Sequence, residues 1–276
     1  MAPLALGEWR TNESEDTMST VSMREMLEAG VHFGHQVHRW NPKMRPYIWG
    51  QKNGIHIMDL QKTVRLFRNA LEFMGKLGQS GDKVLYVGTK RQAQEIIEQE
   101  AQRGKQPYVA HRWLGGMLTN FRTIRTSIDR IEEIESQLSV GNVERLVKKE
   151  VNRLERERNK LLRNLGGIRD LKKAPGAILV VDTVKEHLAV EEARKLRIPI
   201  IALVDSNSDP QFIDFPIPSN DDAIRAIKLF VGALTDAYVA GAAAHKDSFH
   251  HEFAPASGRE TGVDVVVRGA EEAAEA

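Results

Sequence analysis

Apolar residues follow two periods along this chain, and the alternation between them predicts the fold. Short apolar runs of strand length alternate with segments whose apolar residues return every three or four positions. The runs lie at 83–88, 108–110, 177–181 and 199–204, and the periodic segments at 91–103, 184–196 and 221–240. The runs predict buried strands and the segments predict amphipathic helices. This order is typical of an α/β fold in which helices cover both faces of a parallel sheet.

The chain before this alternation carries local turn signals. Ser22 and Glu25 form a capping box, which predicts the start of a short helix. Asn53-Gly54 between two β-prone runs predicts a hairpin. The apolar spacing that follows predicts a helix over 59–78.

The segment 31–47 combines three histidines, three aromatic residues, two prolines and three strong bases. Because of Gly34 and the prolines, we expect an irregular loop. Its histidines recur at every third position, which would suit a metal site, and a histidine can also be catalytic. No carboxylate lies among them to complete either kind of site. Bases interleaved with aromatic residues suit RNA, and the aromatic residues equally suit core packing. These interpretations stay open at this point; the histidines are His32, His35 and His38.

Two charged segments within 122–173 interrupt the α/β pattern. Each carries one narrow apolar seam at steps of three and four, which predicts two helices zipped antiparallel as a coiled-coil hairpin. Gly141-Asn142 is the predicted turn. The whole segment has 14 basic and 9 acidic residues, so an anionic partner is plausible, although mixed charges also simply solvate exposed helices.

Charge is segregated along the chain although the net charge is only +1. Residues 32–173 contain 28 basic and 15 acidic residues, and the two flanks together contain 11 and 23. A basic region of this kind is expected of a protein that binds a phosphate backbone. The chain has no cysteine, no apolar run of transmembrane length and no signal-peptide pattern at its start, so we expect a cytoplasmic protein that does not enter a membrane.

Polar residues follow several of the predicted strands, and they carry the enzymatic alternative. The turn at Thr89, Lys90 and Arg91 has one glycine before it and lacks both the dinucleotide and the P-loop patterns. Asp182 and Asp205 follow two other strands. These strand ends suit a nucleotide- or sugar-phosphate-binding enzyme, but turn and helix-cap roles are favoured. Carboxylates at Asp205 and Asp209 are candidate ligands for Mg²⁺ or Zn²⁺.

Six motifs occur in an order and spacing that resemble the bacterial small-subunit ribosomal protein S2 family, and the likeness covers about 18–241. They are MLEAGVHFGH at 26–35, RWNPKM at 39–44, NGIHIMDLQKT at 53–63, RWLGGMLTN at 112–120, LGGI at 165–168 and IALVDSNSDP at 201–210. The resemblance implies a Rossmann-like or flavodoxin-like domain with a protruding coiled-coil hairpin, placed between the head and body of the small ribosomal subunit. It also implies contacts with ribosomal RNA and neighbouring proteins, a role in seating ribosomal protein S1 for messenger RNA recruitment, and no enzymatic activity or small-molecule substrate.

We therefore predict a structural constituent of the small subunit that binds ribosomal RNA and needs no cofactor. Its predicted parts are a disordered extension over 1–17, an α/β core formed by 18–121 and 174–240, the hairpin over 122–173 and a mobile acidic tail over 241–276. Trp40 and Trp113 are expected to be packing or stacking anchors. The predicted phosphate contacts are Arg39, Lys43, Arg45, Lys52, Lys90, Arg91, Arg112, Arg122, Arg125, Lys148, Lys149 and Arg153. A protein-only adaptor that uses the hairpin seam is a further alternative.

Overall fold

The computed structural model describes residues 21–139 and 147–252. Its first elements are a short helix and a three-stranded antiparallel sheet in the order β1-β3-β2. They are α1 (Met23–Glu28), β1 (Phe33–Gln36), β2 (Ile48–Lys52) and β3 (Ile55–Met58). Ser22 and Glu25 form the predicted capping box. Asn53 and Gly54 have φ angles of 52° and 75°, as a tight turn between β2 and β3 requires, so the hairpin is confirmed.

The prediction of an irregular loop over 31–47 is wrong in part. Four of its residues form β1, and two 3₁₀ turns, Val37–Arg39 and Pro42–Tyr47, contain most of the others. Phe33 of β1 pairs with Ile57 of β3, which lies 24 positions later in the sequence. Because β1 is specified by that distant partner, its local sequence has no strand period.

Strands and helices alternate through the rest of the described chain. The elements are α2 (Leu60–Ser80), β4 (Val84–Val87), α3 (Arg91–Arg103), β5 (Tyr108–Val109), α4 (Phe121–Gln137), α5 (Lys148–Leu165), β6 (Ala177–Val181), α6 (His187–Lys195), β7 (Ile200–Val204), β8 (Phe215–Pro218) and α7 (Ile224–Glu252). The four predicted strands are confirmed as β4, β5, β6 and β7.

The second sheet is parallel throughout and has the strand order β5-β4-β6-β7-β8. This order reverses between β4 and β6, and in doubly wound sheets the carboxyl ends at such a point flank the ligand crevice. The sequence pattern did not predict β8, because Pro216 and Pro218 interrupt it. Prolines lack a backbone donor, and they are tolerated here because β8 is an edge strand.

Two apolar cores cover the faces of this sheet. Tyr86 and Leu179 point into a core with Phe67 of α2 and Phe230 of α7. Their neighbours along the strands point into the opposite core, which contains residues of α4 and α6. Since both faces are buried, the strands are continuous apolar runs rather than alternating ones.

Helix α7 is longer than the predicted 221–240 and extends to Glu252, into the segment 241–276 that was predicted to be a mobile tail. Gly241 is not a helix end. It lies where α7 crosses α2, and a Cβ there would be 2.1 Å from the carbonyl oxygen of Gly75. By length and composition alone the stretch Ile224–Ala244 could cross a membrane. Its fully buried Phe230 and Leu234 belong to the core, which accounts for its apolar character.

Helices α4 and α5 pack against each other, and Arg130 of α4 pairs with Glu157 of α5 at 3.2 Å. Ile128 and Ile131 of α4 are fully buried in the core beside Leu165 of α5, so the seam of α4 is rooted in the α/β domain. The predicted turn at Gly141-Asn142, the extension over 1–17 and the tail from 253 lie outside the described residues.

Candidate functional site: strand ends and basic surface

The histidine motif of β1 lies against the carboxyl end of β7. Gly34 permits this contact, because a Cβ there would be 2.9 Å from Ser206 Oγ and 3.0 Å from Asp205 Oδ1. The backbone N–H of His35 donates to Ser206 Oγ at 2.8 Å, and the His35 ring places Nδ1 3.0 Å from Asp205 Oδ2. This hydrogen bond to Asp205 raises the pKa of His35.

Lys90, at the end of β4, lies among three carboxylates. Its ammonium is 2.7 Å from Asp221 Oδ1, 2.6 Å from Asp222 Oδ1 and 3.4 Å from Asp182 Oδ2. Burial alone would lower the pKa of Lys90, but the hydrogen bonds to Asp221 and Asp222 raise it. Burial, together with the charges of Asp205 and Asp182, raises the pKa of Asp221 to about 7. The Lys90 ammonium therefore forms ion pairs within the protein.

A buried carboxylate occupies the turn between β4 and α3. Glu186 is only 2% exposed, and its Oε1 accepts hydrogen bonds from the backbone N–H of Thr89, at 2.9 Å, and from the Thr89 hydroxyl. Burial raises the pKa of Glu186, although these hydrogen bonds act to lower it. A nucleotide phosphate would use the same backbone donor at the start of α3. The strand ends at Thr89 and Asp182 are thus near each other, but the carboxylate of Glu186 lies where a phosphate would bind.

Three side chains at the strand ends have the geometry to hold a metal ion. One ligand atom from each of His35, Asp205 and Asp221 lies within 4.8 Å of the others. Asp221 Oδ2 is buried without a hydrogen-bond partner among the described residues. Asp209 is not part of this group. It pairs with Lys43 at 2.6 Å, so the structure does not bring the candidates Asp205 and Asp209 together.

A second buried carboxylate fixes the segment that leads into α4. Glu192 of α6 accepts hydrogen bonds from Trp113 Nε1 at 3.1 Å, from the backbone N–H groups of Gly116, Leu118 and Thr119 at 2.7, 2.9 and 3.0 Å, and from Thr119 Oγ1 at 3.1 Å. Although burial opposes it, these donors lower the pKa of Glu192. The Trp113 ring is buried in the core beside these contacts.

The predicted phosphate contacts divide into two groups. Lys43 and Lys90 pair with carboxylates, and Arg125 pairs with Asp129 at 3.2 Å. The other nine are exposed, and their side chains make no ion pair or hydrogen bond with any described residue; they are Arg39, Arg45, Lys52, Arg91, Arg112, Arg122, Lys148, Lys149 and Arg153. Trp40 is half-buried, with its ring centroid 5.0 Å from that of His56.

Sequence reasoning did not single out Glu186, Glu192, Asp221 or Asp222. Glutamates on an amphipathic helix resemble solvated surface residues, and neither glutamate has a local motif. The two aspartates were visible only as adjacent acids at the start of the last predicted helix. Their roles depend on partners from distant strands, which only the sheet order brings together.

The fold and these sites define a doubly wound α/β protein that pairs its strand-end acids internally and, in the part of the chain that the structure describes, exposes many Lys and Arg side chains without an ion pair. Comparison with known proteins gives the family. The family model for ribosomal protein S2 matches residues 26–241. The chain is 55% identical over 230 residues to the small ribosomal subunit protein uS2 of Maridesulfovibrio salexigens, covering 83% of this chain and 89% of that one.

Two further relatives with the same name agree. The protein of Geotalea uraniireducens is 54% identical over 224 residues, covering 81% of this chain and 88% of its own, and that of Nitratidesulfovibrio vulgaris is 55% identical over 230 residues, covering 83% and 91%. The chain belongs to the ribosomal protein S2 family, whose members are structural constituents of the small ribosomal subunit and not enzymes. This overturns the enzymatic alternative at Thr89, Asp182 and Asp205.

Proposed function

We propose that this chain binds small-subunit ribosomal RNA between the head and body of the cytoplasmic ribosome. The proposal rests on the nine exposed bases whose side chains have no ion-pair or hydrogen-bond partner among the described residues. Unpaired Lys and Arg side chains bind phosphates without losing an internal ion pair, and the release of counterions drives the association. The place between head and body rests on the family resemblance.

The second part of the proposal concerns α4 and α5, which we take to form a coiled-coil hairpin that carries bases to the RNA. Support comes from the Arg130–Glu157 pair and from the buried seam of α4. Because that seam is rooted in the core, the helix pair has a fixed direction relative to the sheet. The exposed bases Lys148 and Lys149 lie in the first turn of α5.

The third part is that the small antiparallel sheet docks neighbouring proteins and helps to seat ribosomal protein S1. Trp49 of β2 is 78% exposed and Phe33 of β1 is 46% exposed. These two strands lie on either side of β3, where Phe33 pairs with Ile57. Exposed aromatic residues of this kind are typical binding anchors for a protein partner.

Sedimentation of a cell lysate through sucrose gradients at low and high salt tests RNA docking. The proposal predicts that the chain co-migrates with the small subunit and is released as salt rises. Free sedimentation under both conditions would contradict it. Salt-resistant co-migration would favour the protein-only adaptor.

The S1 role is tested with Phe33→Ala/Trp49→Ala. Purified small subunits containing this variant should lose S1 while they keep the variant itself. Leu196→Ala, at an exposed apolar residue just after α6, is the control and should retain S1. Equal S1 content in all three preparations would contradict the proposal.

A divalent cation, Zn²⁺ or Mg²⁺, remains a proposal for the strand ends, now with His35, Asp205 and Asp221 as its ligands. One imidazole and two carboxylates suit Zn²⁺. The orphaned Asp221 Oδ2 supports the fit, although Lys90 already neutralises part of the charge there. A bound ion would stabilise the contact between β1 and the main sheet.

A further inference from the structure

A groove of about 650 Å³ opens at the amino ends of β4 and β5, the opposite end of the sheet from Lys90 and its carboxylate partners. Lys83 immediately precedes β4 and Pro107 immediately precedes β5. The rest of the lining comes from Gln102, Lys105, Gln106, Tyr108, Gly166, Gly167 and residues 170–173. No residue here is part of the sites described above.

Four lysines line this groove against one acid, Asp170; they are Lys83, Lys105, Lys172 and Lys173. All four are exposed. Lys105 and Lys172 form no ion pair with any described residue. The Lys83 ammonium donates to the carbonyl oxygen of Lys105 at 2.8 Å, and Lys173 has only a 3.5 Å contact to Asp82.

The groove is a built feature of the fold. A Cβ at Gly167 would be 2.3 Å from the carbonyl oxygen of Tyr108 and 2.8 Å from Cδ2 of its ring, so only glycine permits this contact. It holds the segment with Lys172 and Lys173 beside β5, which begins three residues after Lys105. Lysines from two separate parts of the chain therefore border one groove.

We infer that this groove binds a phosphodiester strand of ribosomal RNA. Flexible lysines act as point charges toward phosphates. The partly buried Tyr108 and Pro107 give the groove an apolar surface, as grooves that hold a nucleic acid strand commonly have. The inference rests on the proposed function and adds an RNA contact at residues outside the predicted set.

Directed hydroxyl-radical cleavage tests the inference, because the chain has no cysteine and a single one can be introduced. A tethered iron chelate is placed at Ala174→Cys, an exposed position beside Lys173, and separately at Thr126→Cys on α4. In assembled small subunits, the expected result is cleavage of ribosomal RNA from Cys at position 174. Cleavage from position 126 alone would overturn the groove and leave the proposed function intact. Cleavage from neither position would contradict RNA contact at both.

A charge-matched pair of variants gives an independent measurement. Lys105→Gln/Lys172→Gln/Lys173→Gln is compared with Lys76→Gln/Lys195→Gln/Lys228→Gln, which removes three exposed lysines from α2, α6 and α7. For three lost phosphate contacts, the slope of log binding constant against log salt should fall by about 2 to 3. The control triple should change it by less than about 1. Equal changes in both triples would show that only the overall charge matters and would overturn the inference.

Discussion

The two ends of the main sheet differ in whether their charged side chains form ion pairs within the protein. At the carboxyl ends, His35 and Lys90 pair with carboxylates that are largely buried. At the amino ends, lysines such as Lys105 and Lys172 are exposed without an ion pair among the described residues. Charges of the first kind hold elements of the chain together, while charges of the second kind are left for a partner. Removing a paired charge should therefore lower stability, and removing an unpaired one should weaken RNA binding.

The largest loss of stability is expected for Glu192→Ala. Its five hydrogen-bond donors lie between Trp113 and Thr119, and several would be buried without a partner. The free energy of unfolding in urea should fall by roughly 3–5 kcal/mol. Glu191→Ala, at the exposed neighbouring position, should stay within about 0.5 kcal/mol of the wild type. A loss below about 1 kcal/mol at Glu192 would mean that this carboxylate does not fix the segment before α4.

Lys90→Met and Arg91→Ala separate the two kinds of charge at adjacent positions. Lys90→Met removes the ammonium group from Asp182, Asp221 and Asp222 and should cost about 3 kcal/mol, since Asp222 is half exposed, can recover solvation and keeps His35 Nε2 at 3.5 Å. Arg91→Ala should leave the urea midpoint unchanged and weaken binding to small subunits. The same pattern of stability and binding in both variants would remove the distinction.

Zn²⁺ should stabilise the protein through His35. At one hundred times its dissociation constant a bound ion adds about 2.7 kcal/mol, which thermal unfolding detects. His35→Ala should abolish the gain. His38→Ala, an exposed histidine of the same motif, should keep it. Identical unfolding of the wild type with and without Zn²⁺ or Mg²⁺ would rule out the site.

A smaller effect is expected from pH, measured in the presence of a chelator. The pKa of Asp221 is about 7 in the folded chain against an ordinary 3.8, so the folded protein keeps a proton that the unfolded chain has lost between these values. Stability therefore falls as pH rises through this window. The raised pKa of His35 acts in the same direction. The stability that protonated His35 contributes is fully present below pH 6.5 and is lost as the pH rises through the raised pKa. The urea midpoint should be higher at pH 6 than at pH 8, and Asp221→Asn should reduce the difference.

Local patterns predicted most of the sheet but little of the strand-end site. The boundaries of β6 and α3 follow from the spacing of apolar residues and the length of each segment, because both properties depend only on consecutive residues. β8 was missed because its prolines disguise an edge strand. The pairing of His35 with Asp205 depends on Gly34 lying against β7, a contact between residues about 170 positions apart that no local pattern records.

We expect the exposed bases without an ion pair among the described residues to be the charges that contact ribosomal RNA. The most direct test is the salt dependence of binding to small subunits that lack this protein, for the wild type and for Arg91→Gln/Arg112→Gln/Arg122→Gln. The slope of log binding constant against log salt should be smaller by about 2 to 3 in the variant, with an unchanged urea midpoint. An unchanged slope in a fully folded variant would contradict RNA binding by these bases.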